Sequence, residues 1–133
     1  MFSSGNVTLY VADMDRAIRF YTETLGLRLA YRFANNWASV EVGKGLTVGL
    51  HPASAEMPAG RRGSMAIGLE LSGTSMEEAV ARLSGKGVHF HGPVNDSKAG
   101  KFVSFDDPDG NLIYLAELNW SHVDQGEGKY QHA

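Results

Sequence analysis

The chain has 133 residues and a mass of 14.4 kDa, and its 43% hydrophobic and 20% charged residues are typical of one ordinary globular domain. These values exclude a mostly disordered chain. Twelve Lys and Arg residues against fifteen Asp and Glu residues give a formal net charge of −3, which argues against a binder of nucleic acid or of an anionic membrane. The absence of cysteine excludes disulfides, thiolate metal sites and a cysteine nucleophile.

The sequence contains no apolar run near the roughly 20 residues that a membrane-spanning helix needs. Its first five residues, MFSSG, lack the basic and apolar regions of a signal peptide. We therefore expect a cytoplasmic protein.

The first half of the chain predicts one helix and four strands. Residues 7–11 alternate and are rich in β-branched and aromatic side chains, as in a strand. Asp13 is a candidate N-cap for a helix that Gly26 can end in left-handed geometry. Further strands are predicted at residues 27–33, 37–42 and 46–51, the last two joined by a turn at residues 43–45.

The second half repeats this order. A strand is predicted at residues 64–71, and Ser75 and Glu78 are spaced as the capping box of a helix that ends near residues 85–87. Strands are then predicted at residues 88–90, 102–105 and 112–118. The segment DDPDG at residues 106–110 is typical of a tight turn, although its three aspartates could also suggest calcium.

The predicted fold class is therefore α+β, with two tandem βαβββ modules forming a curved, cup-shaped mixed β-sheet with flanking helices. We expect a single domain over residues 1–133, with the modules at about 6–51 and 64–118. An exposed linker at 52–63 joins them, and a polar tail occupies 119–133. The concave surface of such a cup is the expected ligand site.

Two segments carry a family resemblance. Residues 7–21, VTLYVADMDRAIRFY, followed by LGL at 25–27, and residues 105–112, FDDPDGNL, resemble the vicinal oxygen chelate superfamily. That superfamily includes glyoxalase I, extradiol dioxygenases, fosfomycin-resistance transferases, methylmalonyl-CoA epimerase and the bleomycin-resistance proteins. The resemblance covers about residues 6–118 and implies a homodimer, in which the two modules of a cup come from one chain or from two.

The resemblance also locates the positions where metal-dependent members carry their ligands. In this sequence those positions hold Asn6, Gly49, Ser64 and Tyr114. Divalent metals of this class prefer imidazole and carboxylate ligands, which these four residues do not supply. The sequence therefore predicts no metal and no other cofactor, and in this it is similar to the bleomycin-resistance type, which binds an organic ligand between its modules.

Alternation along the strands predicts which other side chains line the cup. Thr8, Tyr10 and His51 share a face with the four positions above. Trp37 and Phe102 could offer flat apolar surfaces to an aromatic ligand. The predicted ligand-binding set is Asn6, Thr8, Tyr10, Trp37, Gly49, His51, Ser64, Phe102 and Tyr114.

His51 and Tyr114 are the candidate catalytic residues, because histidine exchanges protons near neutral pH and tyrosine can complete an acid–base pair. The alternative is structural: His51 hydrogen-bonds the linker and Tyr114 packs in place. His89 and His91, two residues apart, could start a zinc site but are also typical of an exposed edge strand. Arg61 and Arg62 could meet an anionic ligand or simply be solvated.

Three functions follow from these residues. The first is a metal-free protein that binds a small organic molecule, as in resistance by sequestration. The second is a metal-free isomerase, cyclase or lyase that uses His51 and Tyr114 for proton transfer. The third is a metal-dependent glyoxalase, lyase or dioxygenase.

Overall fold

A computed structural model describes residues 1, 5–60, 65–119 and 121. The first half forms a strand, a helix and three further strands, in the predicted order. The helix continues into a short π-helical segment at Phe20–Thr24. The elements are β1 (Val7–Val11), α1 (Met14–Arg19), β2 (Arg28–Phe33), β3 (Trp37–Val42) and β4 (Leu46–Pro52).

The second half repeats the βαβββ order and confirms the α+β class with two tandem modules. Its elements are β5 (Ile67–Glu70), α2 (Met76–Gly85), β6 (Asn95–Ser97), β7 (Gly100–Asp106) and β8 (Leu112–Leu118). Residues 61–64 and 122–133, which include part of the predicted linker and most of the predicted tail, lie outside the described residues. No helix in the described ranges is both long and apolar enough to cross a membrane.

The strand predicted at residues 88–90 is wrong. That segment makes only one isolated bridge, Phe90 to Phe105, between glycines at positive φ (Gly87 at +93° and Gly92 at +155°) that interrupt extended pairing. The second strand of this module is instead the polar edge strand β6, which pairs with the start of β7. Its sequence, NDS, has low β-propensity, so pairing with β7 rather than local preference creates it.

Each module forms its own four-stranded sheet, ordered β1-β4-β3-β2 in sheet 1 and β5-β8-β7-β6 in sheet 2. In both sheets the first strand pairs in parallel with the last, and the remaining pairs are antiparallel. The sheets are not joined by strand pairing in the described ranges, so β1 and β5 each keep one free edge. A cavity of about 250 Å³ lies between these two edges, with the exposed Met57 and Met65 on its wall.

One face of sheet 1 is covered by α1. Ala38, Val40, Val48 and Leu50 are fully buried on this face and pack in one cluster with apolar side chains of the helix. The same cluster continues into the covered face of sheet 2 through residues such as Phe105. The two modules therefore share a single core, and the other face of each sheet is left open.

Both helices begin at the predicted caps. The Asp13 carboxylate accepts a hydrogen bond from the Arg16 amide, which holds the pKa of Asp13 below its ordinary value. Ser75 accepts in the same way from the Glu78 amide. These caps fix where each helix starts relative to the strand before it.

The turn between β7 and β8 connects the second module to the first helix. The Asp107 side chain, in a residue only 4% exposed, accepts hydrogen bonds from the Tyr21 hydroxyl at 2.8 Å, the Asp109 and Asn111 amides and the Asn111 side chain. The predicted tight turn is therefore present, and protein groups supply the hydrogen bonds that the buried Asp107 carboxylate needs. Burial raises the pKa of the Tyr21 phenol well above its ordinary value, and the nearby Asp107 carboxylate raises it further.

A second carboxylate of the same turn reaches the start of α1. Asp109 Oδ1 accepts from the Ala12 amide at 2.9 Å and from the Arg16 guanidinium at 3.1 Å. The residue Gly60 packs against the same turn at a φ of +65°, and a Cβ there would lie 1.6 Å from the Asp109 carbonyl oxygen. The end of the described linker segment is thus pressed onto the turn.

We predict that Tyr21→Phe lowers the free energy of unfolding by about 1.5–3 kcal/mol, because it removes a buried hydrogen bond to a carboxylate. Because the pKa of Tyr21 is higher in the folded than in the unfolded state, folding favours the neutral phenol. The resulting stabilisation is complete below the unfolded pKa of about 10 and is lost as the pH rises from that value through the folded pKa. Urea titrations at pH 8 and 10.5 should show a smaller loss of stability with pH in Tyr21→Phe than in wild type. Tyr31→Phe, which alters an exposed phenol, should keep the wild-type dependence.

Candidate functional site

The open face of sheet 1 carries a continuous aromatic surface. Every strand contributes to it, and we call the five rings the aromatic platform: Tyr10 on β1, Tyr31 and Phe33 on β2, Trp37 on β3 and His51 on β4. Ring centroids lie 5.4 Å apart for Tyr10 and His51, 6.4 Å for Trp37 and His51, and 5.7 Å for Tyr31 and Phe33. The Trp37 indole nitrogen donates to the Tyr31 hydroxyl at 3.3 Å, which joins the two halves of the platform.

Strand register explains why these rings share a face. Thr8 and Tyr10 pair with Gly49 and His51 in the parallel ladder, and Phe33 faces Trp37 across the β2–β3 hairpin. The alternate residues of β3 and β4 point into the core. Because Tyr31 is 50% and Phe33 65% exposed, a large part of the platform is available to a ligand.

Trp37 lies across Gly49. A Cβ built on Gly49 would be 2.2 Å from the Trp37 Cη2 atom, so any larger residue would displace the indole. Gly49, one of the four positions that the resemblance assigns to metal ligands, is thus covered by an aromatic ring. Ser39, on the same face, is only 3% exposed.

The platform has a polar margin on β1. The Thr8 hydroxyl donates to the Asn6 side-chain oxygen at 2.9 Å. On β4, His51 Nδ1 lies 2.8 Å from the Pro52 carbonyl oxygen. Because a carbonyl only accepts, His51 Nδ1 must be the donor.

The open face of sheet 2 is a second, smaller surface. Tyr114 is 38% exposed and lies across Gly68, where a Cβ would be 2.4 Å from the Tyr114 Cζ atom. Phe102 shares this face, because the register places it opposite Ala116, two residues from Tyr114. A cavity of about 330 Å³ lies beside Tyr114 and Phe102 and is closed on one side by the segment at residues 91–95.

The predicted ligand-binding residues divide between these two faces. Asn6, Thr8, Tyr10, Trp37, Gly49 and His51 lie on sheet 1, whereas Phe102 and Tyr114 lie on sheet 2. Ser64 lies outside the described residues, as do Arg61 and Arg62. The candidate pair His51 and Tyr114 is therefore divided between two sheets, and no hydrogen bond joins it in the part of the chain that the structure describes.

Sequence reasoning missed Tyr31 and Phe33. Their signal was the alternation Leu29-Tyr31-Phe33 in β2, followed by Trp37 directly across a short hairpin. Two exposed aromatic rings opposite a tryptophan are unusual for a strand that only has to cover a core. The register shift between Leu29 and Tyr31 places Leu29 opposite the buried Val40 and Tyr31 opposite Ser39, so the face of each side chain does not follow from the period of two alone.

The other two histidines in the described ranges, His89 and His91, lie away from both open faces or at their edge. His89 is exposed, and His91 Nε2 lies 3.0 Å from the Asp106 carboxylate. Among the described residues, no group of three or more His, Asp or Glu side chains is placed to hold a metal ion.

The described residues at the family's ligand positions do not fit a divalent metal. Asn6 offers a weak amide oxygen already bonded to Thr8, Gly49 offers no side chain, and Tyr114 offers a neutral phenol. A catalytic metal of this class needs about three imidazole or carboxylate ligands. These three residues therefore do not form a metal centre of that kind.

Comparison with known proteins agrees with this fold. Residues 4–115 match the family model described as the Glyoxalase/Bleomycin resistance protein/Dioxygenase superfamily. The chain belongs to this superfamily. Among curated proteins, this superfamily member is 29% identical to YetH of Bacillus subtilis over 117 residues, which cover 85% of this chain and 96% of YetH.

Two solved structures share the fold of this superfamily member. TnmS3 from Streptomyces sp. CB03234, an antibiotic binding protein, is 28% identical, with a TM-score of 0.69 and coverage of 90% of this chain and 99% of its own. FosX from Listeria monocytogenes, a fosfomycin resistance protein solved with Mn(II), is 18% identical, with a TM-score of 0.71 and coverage of 92% and 94%. At that identity FosX supports the shared fold alone.

We predict that Gly49→Ala displaces the Trp37 indole, because the new Cβ overlaps its six-membered ring. In a background where Trp120 is replaced by Phe, the emission maximum of Trp37 should shift by several nanometres. Gly45→Ala is the matched control, since a Cβ at Gly45 meets nothing within 4 Å. An unchanged spectrum in Gly49→Ala would contradict the placement of the ring.

Proposed function

We propose that this protein binds a planar aromatic organic molecule on the aromatic platform and sequesters it without a metal. The observation that carries the proposal is the platform itself, in which four strands present five partly exposed rings on one face. Soluble proteins rarely leave such rings open to water unless they meet a ligand or a partner. Stacking on indole and phenol rings favours flat, aromatic ligands.

Two further observations support binding of an organic ligand. The described side chains at the positions that the resemblance assigns to metal ligands are poor ligands for a divalent metal. The space next to Gly49 is occupied by the indole ring of Trp37. TnmS3, at 28% identity over almost its whole length, is an antibiotic binding protein. We therefore place the ligand among aromatic natural products of the antibiotic kind.

We propose further that the protein is a homodimer in which each cup combines two chains. Within one chain the covered faces of both sheets share a single core, so the open faces lie on the outside of that core. One open face offers five rings and the other offers Tyr114 and Phe102 beside a cavity. A second copy that sets its sheet 2 against sheet 1 would bury both faces around a ligand.

We predict that Trp37→Ala weakens the binding of a planar aromatic antibiotic at least tenfold, because stacking on the indole is lost. Daunorubicin is a suitable probe, since its visible fluorescence lets polarisation measure affinity without using protein emission. His89→Ala, at an exposed residue outside the platform, is the control and should bind as wild type does. If Trp37→Ala binds equally well, the platform is not the binding surface.

Mixing two inactive variants tests whether chains share the cup. Trp37→Ala and Tyr114→Ala each damage both cups of their own homodimer. In a mixed dimer one cup would take Trp37 from one protomer and Tyr114 from its partner. We therefore predict that refolding the two variants together restores about half of the mixed dimers' sites, whereas cups formed within single chains would recover nothing.

The second candidate function is a metal-free enzyme that uses His51 and Tyr114. It is favoured by one observation: His51 holds its proton on Nδ1 and so offers Nε2 as a base. The shared cup would bring Tyr114 of the partner chain towards it. Mass spectrometry of the bound ligand after incubation separates the two functions, because sequestration returns the ligand unchanged.

A further inference from the structure

His51 is fixed in one tautomer by its own backbone. Its Nδ1 atom lies 2.8 Å from the carbonyl oxygen of Pro52, an atom that has no hydrogen to donate. Neutral His51 therefore carries its proton on Nδ1 and keeps a lone pair on Nε2. Pro52 contributes in a second way, since it ends β4 and pairs with Val11, which holds this carbonyl in place.

The Nε2 atom is an unused hydrogen-bonding atom of the platform. His51 is exposed, and no partner for Nε2 occurs among the residues that the structure describes. Its ring neighbours are Tyr10 and Trp37, both in edge-on geometry. When His51 is neutral, a ring ligand stacked beside it would meet the Nε2 lone pair at its rim.

We infer that the ligand carries a phenolic hydroxyl and that His51 Nε2 accepts a hydrogen bond from it. This inference rests on the proposed function, because it requires an aromatic ligand on the platform. A phenol is a stronger donor than an aliphatic alcohol, and a neutral imidazole nitrogen is a strong acceptor. His51 is thus the residue that sets specificity, whereas the aromatic rings supply affinity.

The chemistry also says which ligands the platform rejects. An aryl ether of the same shape presents an oxygen lone pair to the lone pair on His51 Nε2. Because both atoms are acceptors, no hydrogen bond can form between them. A site that is built to bond a hydroxyl discriminates against the analogue that lacks it, because the site's own polar atom is left unpaired. The preferred class is therefore hydroxylated polycyclic aromatic compounds over their methyl ethers.

Two small probes test this inference: 2-naphthol and 2-methoxynaphthalene, which share a ring system and differ in the hydroxyl hydrogen. Equilibrium dialysis should show about fivefold tighter binding of 2-naphthol to the wild-type protein, the ratio expected for one neutral hydrogen bond. In His51→Phe, which keeps an aromatic ring, the two probes should bind with equal affinity. His89→Phe, at an exposed histidine outside the platform, should keep the wild-type preference.

Nitrogen-15 spectra of the His51 ring give a second readout. The free protein should show the Nδ1–H tautomer, and 2-naphthol should shift the Nε2 resonance while 2-methoxynaphthalene does not. The outcomes separate the two proposals. If both probes bind equally and both lose affinity in Trp37→Ala, the inference about His51 is wrong and the platform stands. If neither probe binds wild type, or binding ignores Trp37→Ala, the proposed function itself is wrong.

Discussion

The interaction on which the rest of the structure depends is the buried bond between Tyr21 and Asp107. It joins the first module's helix to the second module's last turn, which no strand pairing in the described ranges connects to sheet 1. A carboxylate taken out of water is tolerated only when hydrogen bonds replace its hydration, and Asp107 receives them from three residues at once. Together with the shared hydrophobic core, this contact and its neighbour at Asp109 hold the two modules against each other.

The two open faces share one packing arrangement. In each sheet an aromatic side chain lies flat across a glycine of a neighbouring strand, Trp37 over Gly49 and Tyr114 over Gly68. Because glycine has no side chain, an aromatic ring from the neighbouring strand can lie flat against its backbone. The opposite face of that ring then points away from the sheet. At Gly49, the position that the family resemblance assigns to a metal ligand, the arrangement therefore presents the face of an indole ring.

The strands with strong patterns could be predicted from the sequence, and so could both caps. β1, β3 and β8 begin and end where alternation placed them, because side-chain period and β-propensity agree there. The polar strand β6 could not be predicted, because its residues are typical of turns. They become extended through pairing with β7. The period of two predicts that Thr8, Tyr10 and His51 share a face, and the register of β1 with β4 agrees with this. The complete aromatic platform could not be predicted, because the pairing of β2 with β3 passes through an irregularity near Leu29 that the sequence does not show.

The parallel pairing of β1 with β4 has a consequence for the order of events during synthesis. Val7 pairs with Val48, so β1 leaves the ribosome about forty residues before the strand with which it pairs. The hairpins β2–β3 and β3–β4 close short loops and need no such delay. We expect the antiparallel strands β2, β3 and β4 to form first. The helix α1 and then β1 would pack and pair against them. Until that moment the free edge of β4 is exposed, and this is the stage at which the nascent chain is most vulnerable to aggregation.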